Sequence, residues 1–488
     1  MSAGLIQLIC KSKESEYLTD NPQISLFKII YRRHTNFTVE QIPLKFSVEP
    51  NFGKKVSLTL SKLGDLINTM YLVLTLPEIP KYYEVDGSNN SIVKYAWSHN
   101  IADVIIKNIE IVLGDITIDR QYGEWLYIWH SLFDTESKQY DKMTGNISDL
   151  YDFTESKEEK KIYIPLHFFF CDNITNSFPI CCFDDIKLQL NLEISDLSKC
   201  LITSPTNYID INDPIVFFQT GDCLLQNIKD EFIIGKFIYF DENKKRMYYN
   251  KVTSNTFYNN YEIYSSSYFV TPNSSSSEYS LTNDISINLT NSYLLTSYVY
   301  IEKFERDRIK QKNHNYLIKQ VQYNGESTFY NDMGKVNLTF KNNVLFICWV
   351  ANFAFYHNVS NNEFFNYNSI DFNNDNFLIT EKYNLIKTSN IIINGINIMS
   401  YFDNKYFMYT ENINHFNKTI DGINTFSFSL KPMLSQPSGS INFNELSNIQ
   451  IDFEFNKNSK INSNILLRAY CQNYNILQIS NNKFKLLF

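Results

Sequence analysis

Glycine is scarce in this chain, which has 14 glycines among 488 residues, about 3% against a usual content of about 7%. Glycine-rich loops that cradle phosphates are therefore not expected, and the motifs G-x-x-x-x-G-K-S/T and G-x-G-x-x-G are both absent. The zinc-protease motif H-E-x-x-H and the nucleophile elbow G-x-S-x-G are absent as well. The common signatures of nucleotide-binding and hydrolytic enzymes are thus missing.

Positive charge and long apolar runs are also in short supply. The formal net charge is -8, and because phosphate contacts supply much of the affinity for nucleic acid, direct genome binding is not expected. No apolar stretch reaches the roughly 20 residues of a membrane span, and residues 1–10 lack the order of a signal peptide. These absences predict a soluble protein made and kept in the cytosol.

Groups that could perform chemistry do not form a recognisable set. The eight cysteines contain no C-x-x-C pair, which favours buried free thiols over a zinc ribbon or a disulfide framework. The seven histidines lack metal-ligand spacing and are interpreted as hydrogen-bonded core or surface residues: His34, His99, His130, His167, His314, His357 and His415. We assign no catalytic, cofactor-binding or metal-binding residues, and we expect no cofactor and no enzymatic activity.

What the sequence does contain is aromatic residues, at 16%, and short runs in which apolar and polar residues alternate. Alternation with a period of two places every second side chain on one face of a sheet. The clearest runs are 56–60, 71–76, 104–113, 187–194, 335–340, 425–430 and 449–455. Many short strands with few helices indicate antiparallel sandwiches, and 488 residues exceed what a single core supports. The sequence therefore predicts an all-β chain with two cores.

The intervening segments differ in character. Trp125, Trp129 and Leu132 recur at helical spacing behind Glu124, which predicts a short helix. Polar composition predicts long surface loops at 134–161, 203–291 and 357–375. In the second of these, the apolar runs 232–234 and 237–240 allow a small core or an added hairpin. Residues 303–312, KFERDRIKQK, carry both charges densely and are interpreted as a solvated connector.

A family resemblance becomes visible in motifs spread over residues 17–479. In chain order these are YLTDNPQI (17–24), YRRHTNF (31–37), GDLI (64–67), DRQYGEW (119–125), PLHFFF (165–170), FPI (178–180), ER (305–306), FSFSLKP (426–432), QPSG (436–439) and NYN (473–475). Together they resemble the double jelly-roll major capsid proteins of nucleocytoplasmic large DNA viruses. Two features depart from the family pattern: the C-terminal residues 481–488, NNKFKLLF, and the long insertion near 200–290.

The resemblance implies two consecutive jelly-roll β-sandwiches with long loop insertions and few short helices. It divides the chain into an N-terminal arm (1–23), a first jelly roll (24–305) with an outward insertion at about 203–291, a charged connector (306–312) and a second jelly roll (313–488). The implied function is structural: the chain trimerises into pseudo-hexagonal capsomers of an icosahedral shell around a large double-stranded DNA genome.

The resemblance also implies partners. These are further copies of the chain, neighbouring capsomers, and minor capsid and penton proteins, without direct nucleic-acid contact, in a virion capsid assembled in the host cytoplasm. Proximity to an internal viral membrane and glycans on the outer loops are left open. Two alternative functions also stay open: a minor or scaffolding shell paralogue of the same fold, and a glycan-binding β-sandwich protein.

Overall fold

The computed structural model describes residues 3–9, 19–29, 31, 33–82, 92–133, 137–212, 217–229, 231–265, 268–279, 287–357, 363–372, 379–416, 418–456, 461, 463–480 and 482–488. The α-helices in these ranges are Ala3–Ile9, Ile101–Ile105, Gly123–Phe133, Ser137–Thr144, Ser148–Tyr151, Leu197–Cys200, Lys303–Gln311 and Glu411–Phe416. Short 3-10 turns occupy Ile174–Asn176, Ile180–Cys182, Ala354–His357 and Phe443–Glu445, and a π-helical turn occupies Tyr406–Thr410. Within the described residues, no helix is long and apolar enough to cross a membrane.

Strands dominate the described chain. In order they are β1 (Phe37–Lys45), β2 (Lys55–Thr59), β3 (Leu66–Leu76), β4 (Lys94–Trp97), β5 (Ile106–Leu113), β6 (Ile116–Tyr122), β7 (Lys160–Pro165), β8 (Leu188–Ile194), β9 (Leu201–Ser204), β10 (Asn207–Asp210), β11 (Cys223–Ile228), β12 (Glu231–Asp241), β13 (Arg246–Lys251), β14 (Ile263–Ser265), β15 (Tyr268–Val270), β16 (Ser277–Glu278), β17 (Thr290–Ile301), β18 (His314–Phe329), β19 (Met333–Asn337), β20 (Asn343–Phe353), β21 (Asn368–Phe372), β22 (Ile379–Asn384), β23 (Ile386–Ile393), β24 (Ile396–Asp403), β25 (Asn424–Ser427), β26 (Ile441–Asn442), β27 (Ile449–Phe455), β28 (Ile465–Ser480) and β29 (Lys483–Leu486).

The first sandwich consists of two four-stranded antiparallel sheets, ordered β1-β17-β3-β7 and β2-β8-β5-β6. β8 illustrates why they pack together: Leu188, Leu190, Leu192 and Ile194 are buried and alternate with residues that are only partly buried. Such alternation gives a strand one apolar face. The apolar faces of the two sheets contribute to one continuous core.

The second sandwich repeats this plan. Its sheets are ordered β18-β28-β20-β25 and β19-β27-β23-β24, with β26 and β29 added to the first of them. β20 is buried along almost its whole length, and Trp349 in that strand is fully buried. The core of this sandwich gathers Trp349 with Phe407, Phe453 and Ile391.

A third sheet, the insert sheet, lies between β8 and β17 in the chain and is ordered β15-β14-β11-β12-β13-β10-β16. Its strand β12 packs on both faces. Phe232 and Ile234 belong to the core of the second sandwich, whereas Ile233 and Phe237 belong to a separate core within the insert. The insert sheet therefore rests on the second sandwich while being folded in its own right.

The pairing register defines two ends of the molecule. β1 begins with Phe37 opposite Ile301, beside the connector helix Lys303–Gln311. We call this the arm end, because the N-terminal residues leave from it. β1 finishes with Lys45 opposite Tyr293, near the start of β17, where the chain returns from the insert sheet. We call this second end the insert end.

Several predictions from the sequence can be compared with these elements. Strand 449–455 and the helix behind Glu124 are confirmed. The strand predicted for 104–113 is wrong at its start, because Val104 and Ile105 close the buried helix Ile101–Ile105 and the strand begins at Ile106. The predicted surface loop at 134–161 is wrong, because it contains two helices. The insertion at 203–291 has its own core on the predicted apolar runs, but it forms a seven-stranded sheet and not a loop with one added hairpin. The segment predicted to be solvated, 303–312, is so in the helix Lys303–Gln311, which has no buried residue; that it is helical was not predicted.

Candidate functional site at the junction of the sandwiches

The two sandwiches meet where edge strand β6 of the first lies beside edge strand β18 of the second. The Val321 backbone N–H donates a hydrogen bond to Asp119 Oδ1 at 3.0 Å, and the Gln320 side-chain amide donates to the Ile118 carbonyl. Further along, the rings of Tyr122 and Tyr323 lie 5.0 Å apart between centroids. Backbone, polar and aromatic contacts thus join the two edges over the length of β6.

Asp119 is the buried polar anchor of this contact. Its carboxylate is 4% exposed and also accepts a hydrogen bond from Gln121 Nε2 at 3.0 Å. Burial raises the pKa of Asp119 to about 7, because desolvation of the carboxylate outweighs the hydrogen bonds from Val321, Gln121 and Arg120. The Asp119 carboxyl group is therefore near its titration midpoint at neutral pH.

The helix Gly123–Phe133, which follows β6, brings a second charged group to the junction. Glu124 at its start meets Arg468 of β28 in a two-pronged ion pair, with Arg468 Nε 2.5 Å from Oε2 and Nη2 2.7 Å from Oε1. Two tyrosine hydroxyls, of Tyr470 and Tyr367, also donate to the Glu124 carboxylate, at 2.8 and 3.0 Å. Both carboxylate oxygens are thereby fully engaged by partners from the second sandwich.

Arg468 makes two further polar contacts. Nη1 lies 3.1 Å from Glu326 Oε2, and Nη2 donates to Asn352 Oδ1 at 3.2 Å. Burial alone would raise the pKa of Glu124, but the charge and hydrogen bonds of Arg468 outweigh it and leave that pKa lowered. The pKa of Arg468 is raised, because its attraction to Glu124 exceeds the cost of desolvation. Both groups stay ionised inside the protein.

A cavity of about 340 Å³ opens beside this ion pair. Its wall includes Glu124, Arg468, Glu326, Tyr122 and Lys107. Those charges already have partners, since Lys107 pairs with Glu193 at 2.6 Å. The arrangement therefore suits a fixed joint between the two sandwiches better than the capture of a charged ligand.

His130 and His167 share one aromatic cluster, with ring centroids 5.4 Å apart, whereas His357 lies at the junction beside the Arg468 ion pair. His130 is buried with Nδ1 2.8 Å from the Tyr140 hydroxyl, and burial holds the pKa of His130 well below its usual value. His167 stacks on Trp129 with centroids 3.5 Å apart, and His357 hydrogen-bonds Asn352 at 2.9 Å. Within the ranges described above, no group of three or more His, Cys, Asp or Glu side chains could hold a metal ion.

The described part of the N-terminal segment offers a different kind of surface, which is apolar and uncovered. Ile24, Leu26, Phe27 and Tyr31 are between 70% and 98% exposed. The segment 21–39 carries lysine and arginine but no aspartate or glutamate. Contiguous exposed apolar side chains mark surfaces that bind a partner.

The ion pair between Glu124 and Arg468 was not predicted from the sequence. The two residues are 344 positions apart, and Glu124 was noted only as the start of a helix. One local signal was available: Arg468 interrupts the apolar run ILLRAYC, and a charged residue at a buried strand position needs a partner. The pattern predicts that a partner exists, but it does not identify Glu124.

Two antiparallel sandwiches with the same strand order, joined edge to edge in one chain, define a double jelly-roll protein. The solved Faustovirus major capsid protein shares this fold with a TM-score of 0.66 at 13% identity, over 96% of this chain and 94% of that one. The PBCV-1 virus capsid protein does so with a TM-score of 0.64 at 18% identity, over 95% of this chain and 100% of that one. The predicted fold class is confirmed.

Sequence comparison defines the family more closely. Residues 25–221 match the family described as major capsid protein N-terminus, and residues 305–484 match that of the large eukaryotic DNA virus major capsid protein. Probable capsid protein 4 of Acanthamoeba polyphaga mimivirus is 34% identical over 502 aligned positions, covering 98% of each chain. The chain belongs to the major capsid proteins of large eukaryotic DNA viruses. It is a structural protein of the virion capsid, from a family of shell proteins and not of enzymes, and it assembles with itself.

Proposed function

We propose that three copies of this chain form one capsomer, a pseudo-hexagonal tile of an icosahedral shell. The observation that carries this proposal is the repeated sandwich: two units with the same strand order stand side by side, so three chains supply six similar lobes. The buried ion pair at the junction supports a fixed angle between the two lobes of each chain. A fixed angle is what a tile of constant shape requires.

The proposed domain boundaries follow the same plan. Residues 1–23 form an arm, 24–305 the first jelly roll, 306–312 the connector and 313–488 the second jelly roll. Pairing of β17 with β1 and β3 supports assigning residues up to 301 to the first unit. The insertion at about 203–291 faces outward and the arm end faces the particle interior. The register of β1 and β17 supports placing them at opposite ends.

The proposed partners differ between the two ends. At the arm end, the exposed side chains of Leu26 and Phe27 favour contact with minor capsid and penton proteins, near an internal membrane. At the insert end, Asn273 is exposed within an Asn-Ser-Ser sequon and is available for a glycan. Assembly takes place in the host cytoplasm, without direct contact to nucleic acid.

Native mass spectrometry of the purified full-length chain tests the trimer. The expected result is a dominant species of three times the 57.4 kDa chain mass. A folded chain that stays monomeric at high concentration in physiological salt contradicts the proposal. Circular dichroism of the same sample establishes that the chain is folded.

A further inference from the structure

The cysteines of the described residues fall into two groups. In the larger group, burial raises the pKa of the thiol, as at Cys223, where it is about 11. Because the thiolate is the reactive form of cysteine, raised pKa values make these side chains inert at neutral pH. The five members of this group are Cys171, Cys200, Cys223, Cys348 and Cys471.

The second group is the pair Cys181 and Cys182, which are neighbours in the chain. Both lie in the 3-10 turn Ile180–Cys182, and both are partly exposed. The two thiols are hydrogen-bonded to each other, and Cys182 Sγ also lies 3.8 Å from the carbonyl oxygen of Ile309 in the connector helix. Two thiols are therefore held together at one partly exposed point of the molecule.

The environment gives the two sulfur atoms different roles. The pKa of the Cys182 thiol is lowered, because a hydrogen bond from the Cys181 thiol stabilises the Cys182 thiolate and the charge of Lys310 adds to this effect. The pKa of the Cys181 thiol is raised by the same hydrogen bond and by burial. Cys182 is thus the nucleophile of the pair, and Cys181 is the thiol that stays protonated beside it.

The turn that carries the pair is fixed at the link between the two sandwiches. The Cys181 backbone N–H donates to the Asp65 carbonyl at 3.0 Å, and the Asp65 carboxylate accepts the Ile301 backbone N–H at 3.0 Å. Arg306 of the connector helix pairs with the same carboxylate at 2.6 Å. The two thiols therefore lie where the end of β17 and the connector helix leave the first sandwich.

We propose that Cys181 and Cys182 form a reactive vicinal dithiol, which a peroxide converts to a disulfide and which a trivalent arsenical bridges. In the oxidation, the Cys182 thiolate attacks one oxygen of hydrogen peroxide and the O–O bond breaks. Cys182 becomes a sulfenic acid, and the hydroxide that leaves takes up the thiol proton as water. Cys181 then forms the S–S bond with Cys182 and a second water leaves, so that two thiols and one peroxide give one disulfide and two waters.

The reaction with an arsenical uses the same two sulfur atoms. Thiolates are soft ligands that favour soft, thiophilic centres. With an arsenical of the type R–As=O, two As–S bonds replace the As=O bond, and the two thiol protons leave with the oxygen as water. A single thiol supplies only one of these bonds, so retention of the arsenical requires both cysteines.

The surroundings decide which form of the pair persists. A reducing cytosol keeps thiols reduced, whereas the oxidising conditions outside a cell favour disulfides. In the disulfide, Cys182 no longer has an S–H group to donate to the Ile309 carbonyl. That carbonyl retains its contact with His314 Nε2 at 2.7 Å. Oxidation should therefore change one contact while the connector helix stays in place.

Binding of phenylarsine oxide to the purified full-length chain tests the dithiol. Intact-mass spectrometry should show one arsenical per chain, which dithiothreitol removes and glutathione does not. Cys181→Ser and Cys182→Ser should each abolish this retention. The matched control is Cys223→Ser, at another partly exposed cysteine, which should retain the arsenical like the wild type. A wild-type chain that retains no arsenical, or retention that survives in both serine variants of the pair, would overturn the proposal.

Oxidation provides a second measurement that needs no substitution. The wild-type chain is treated with one equivalent of hydrogen peroxide, its free thiols are blocked, and it is cleaved before aspartate residues without reduction. The fragment 172–183 contains Cys181, Cys182 and no other cysteine. This fragment should be recovered unblocked and lighter by two hydrogens, with the circular dichroism of the treated chain unchanged. Recovery of the fragment with both thiols blocked would show that the peroxide does not form the disulfide.

Discussion

Arg468 illustrates how much one buried side chain contributes to the junction. Its side chain is 5% exposed and that of Glu124 is 11% exposed, so neither charge is compensated by water. Replacing Arg468 by methionine preserves volume but leaves the Glu124 carboxylate buried without its cation. The expected loss of folding free energy is about 3–5 kcal/mol, seen as a lower thermal midpoint in scanning calorimetry.

The matched control is Lys81→Met, which removes the cation of a pair with Glu155 in which the lysine is 30% and the glutamate 43% exposed. Solvent-exposed ion pairs contribute at most about 1 kcal/mol to the free energy of unfolding, so the thermal midpoint of this variant should lie close to that of the wild type. Adding Glu124→Gln to Arg468→Met should recover part of the loss, because the uncompensated charge is then removed. Equal melting of the Arg468 and Lys81 variants would contradict the role assigned to the buried pair.

Asp119 gives the junction a dependence on pH. The pKa of Asp119 is about 7 in the folded protein, against the ordinary value of 3.8 that applies to the unfolded chain. The folded state therefore binds the proton more tightly than the unfolded state. Stability is therefore greatest below the ordinary pKa and falls as the pH rises from about 4 to about 7, by up to about 1.4 kcal/mol per pH unit. Asp119→Asn should lack this component.

Comparison of wild type and Asp119→Asn isolates this effect from the buried histidines, whose lowered pKa values act in the opposite direction. The measurement is the difference between their unfolding midpoints in urea at pH 5 and at pH 8. The urea midpoint of the wild type should rise relative to that of the variant as the pH is lowered. A difference that is constant between the two pH values would show that Asp119 does not titrate in this window.

At the scale of elements, the insert sheet should loosen independently of the two sandwiches. Gly235 faces the separate core of the insert, where an added Cβ would lie 2.9 Å from Tyr249 Cδ2 and 3.0 Å from Phe257. Gly235→Val should therefore lower the local stability of the insert sheet by about 1–3 kcal/mol. Hydrogen exchange followed by mass spectrometry should show faster exchange in 207–278, with the protection of β20 and β28 unchanged.

The control for that experiment is Lys244→Ala, in the exposed turn between β12 and β13 of the same sheet. It should leave exchange as in the wild type. If Gly235→Val instead accelerates exchange throughout both sandwiches, the insert and the sandwiches unfold as one cooperative unit.

The sequence predicted those strands in which apolar and polar residues alternate along neighbouring positions. Residues 449–455 alternate without interruption, and β27 has those bounds. The insert sheet was predicted only as far as a small core or one hairpin on the runs 232–234 and 237–240, which both lie in β12. Its other strands were missed because Asn and Ser dominate the composition of the segment. Composition averaged over a long segment conceals short strands that pack on a neighbouring core.

The junction could be predicted only in part, for a different reason. Asp119 and Glu124 lie within a motif that the family resemblance singled out, but the partner of Asp119 is the backbone N–H of Val321, 202 positions away. Backbone groups have no sequence signature, and edge-to-edge packing depends on the fold of both sandwiches. Long-range pairing of this kind emerges only from the three-dimensional structure.

At the scale of the whole molecule, the net charge of -8 predicts weak interaction with nucleic acid. Fluorescence anisotropy with a labelled DNA duplex should give no saturable binding at micromolar protein in about 50 mM salt, and no change at about 200 mM. Saturable binding that weakens steeply over this range would indicate that the basic residues within 28–33 neutralise phosphates. Deletion of residues 1–36 would then identify the N-terminal segment that contains them as the cause.

The double-sided packing of β12 also bears on how this gene changes over time. Phe232 and Ile234 belong to the core of the second sandwich, whereas Ile233 and Phe237 belong to the insert's own core. Neighbouring residues of one strand thus belong to different cores, and we expect them to vary independently. Among related viruses, we expect the first pair to be retained and the second pair to be replaced together with the surrounding insert. The insert could then change in size or sequence while the two sandwiches stay the same.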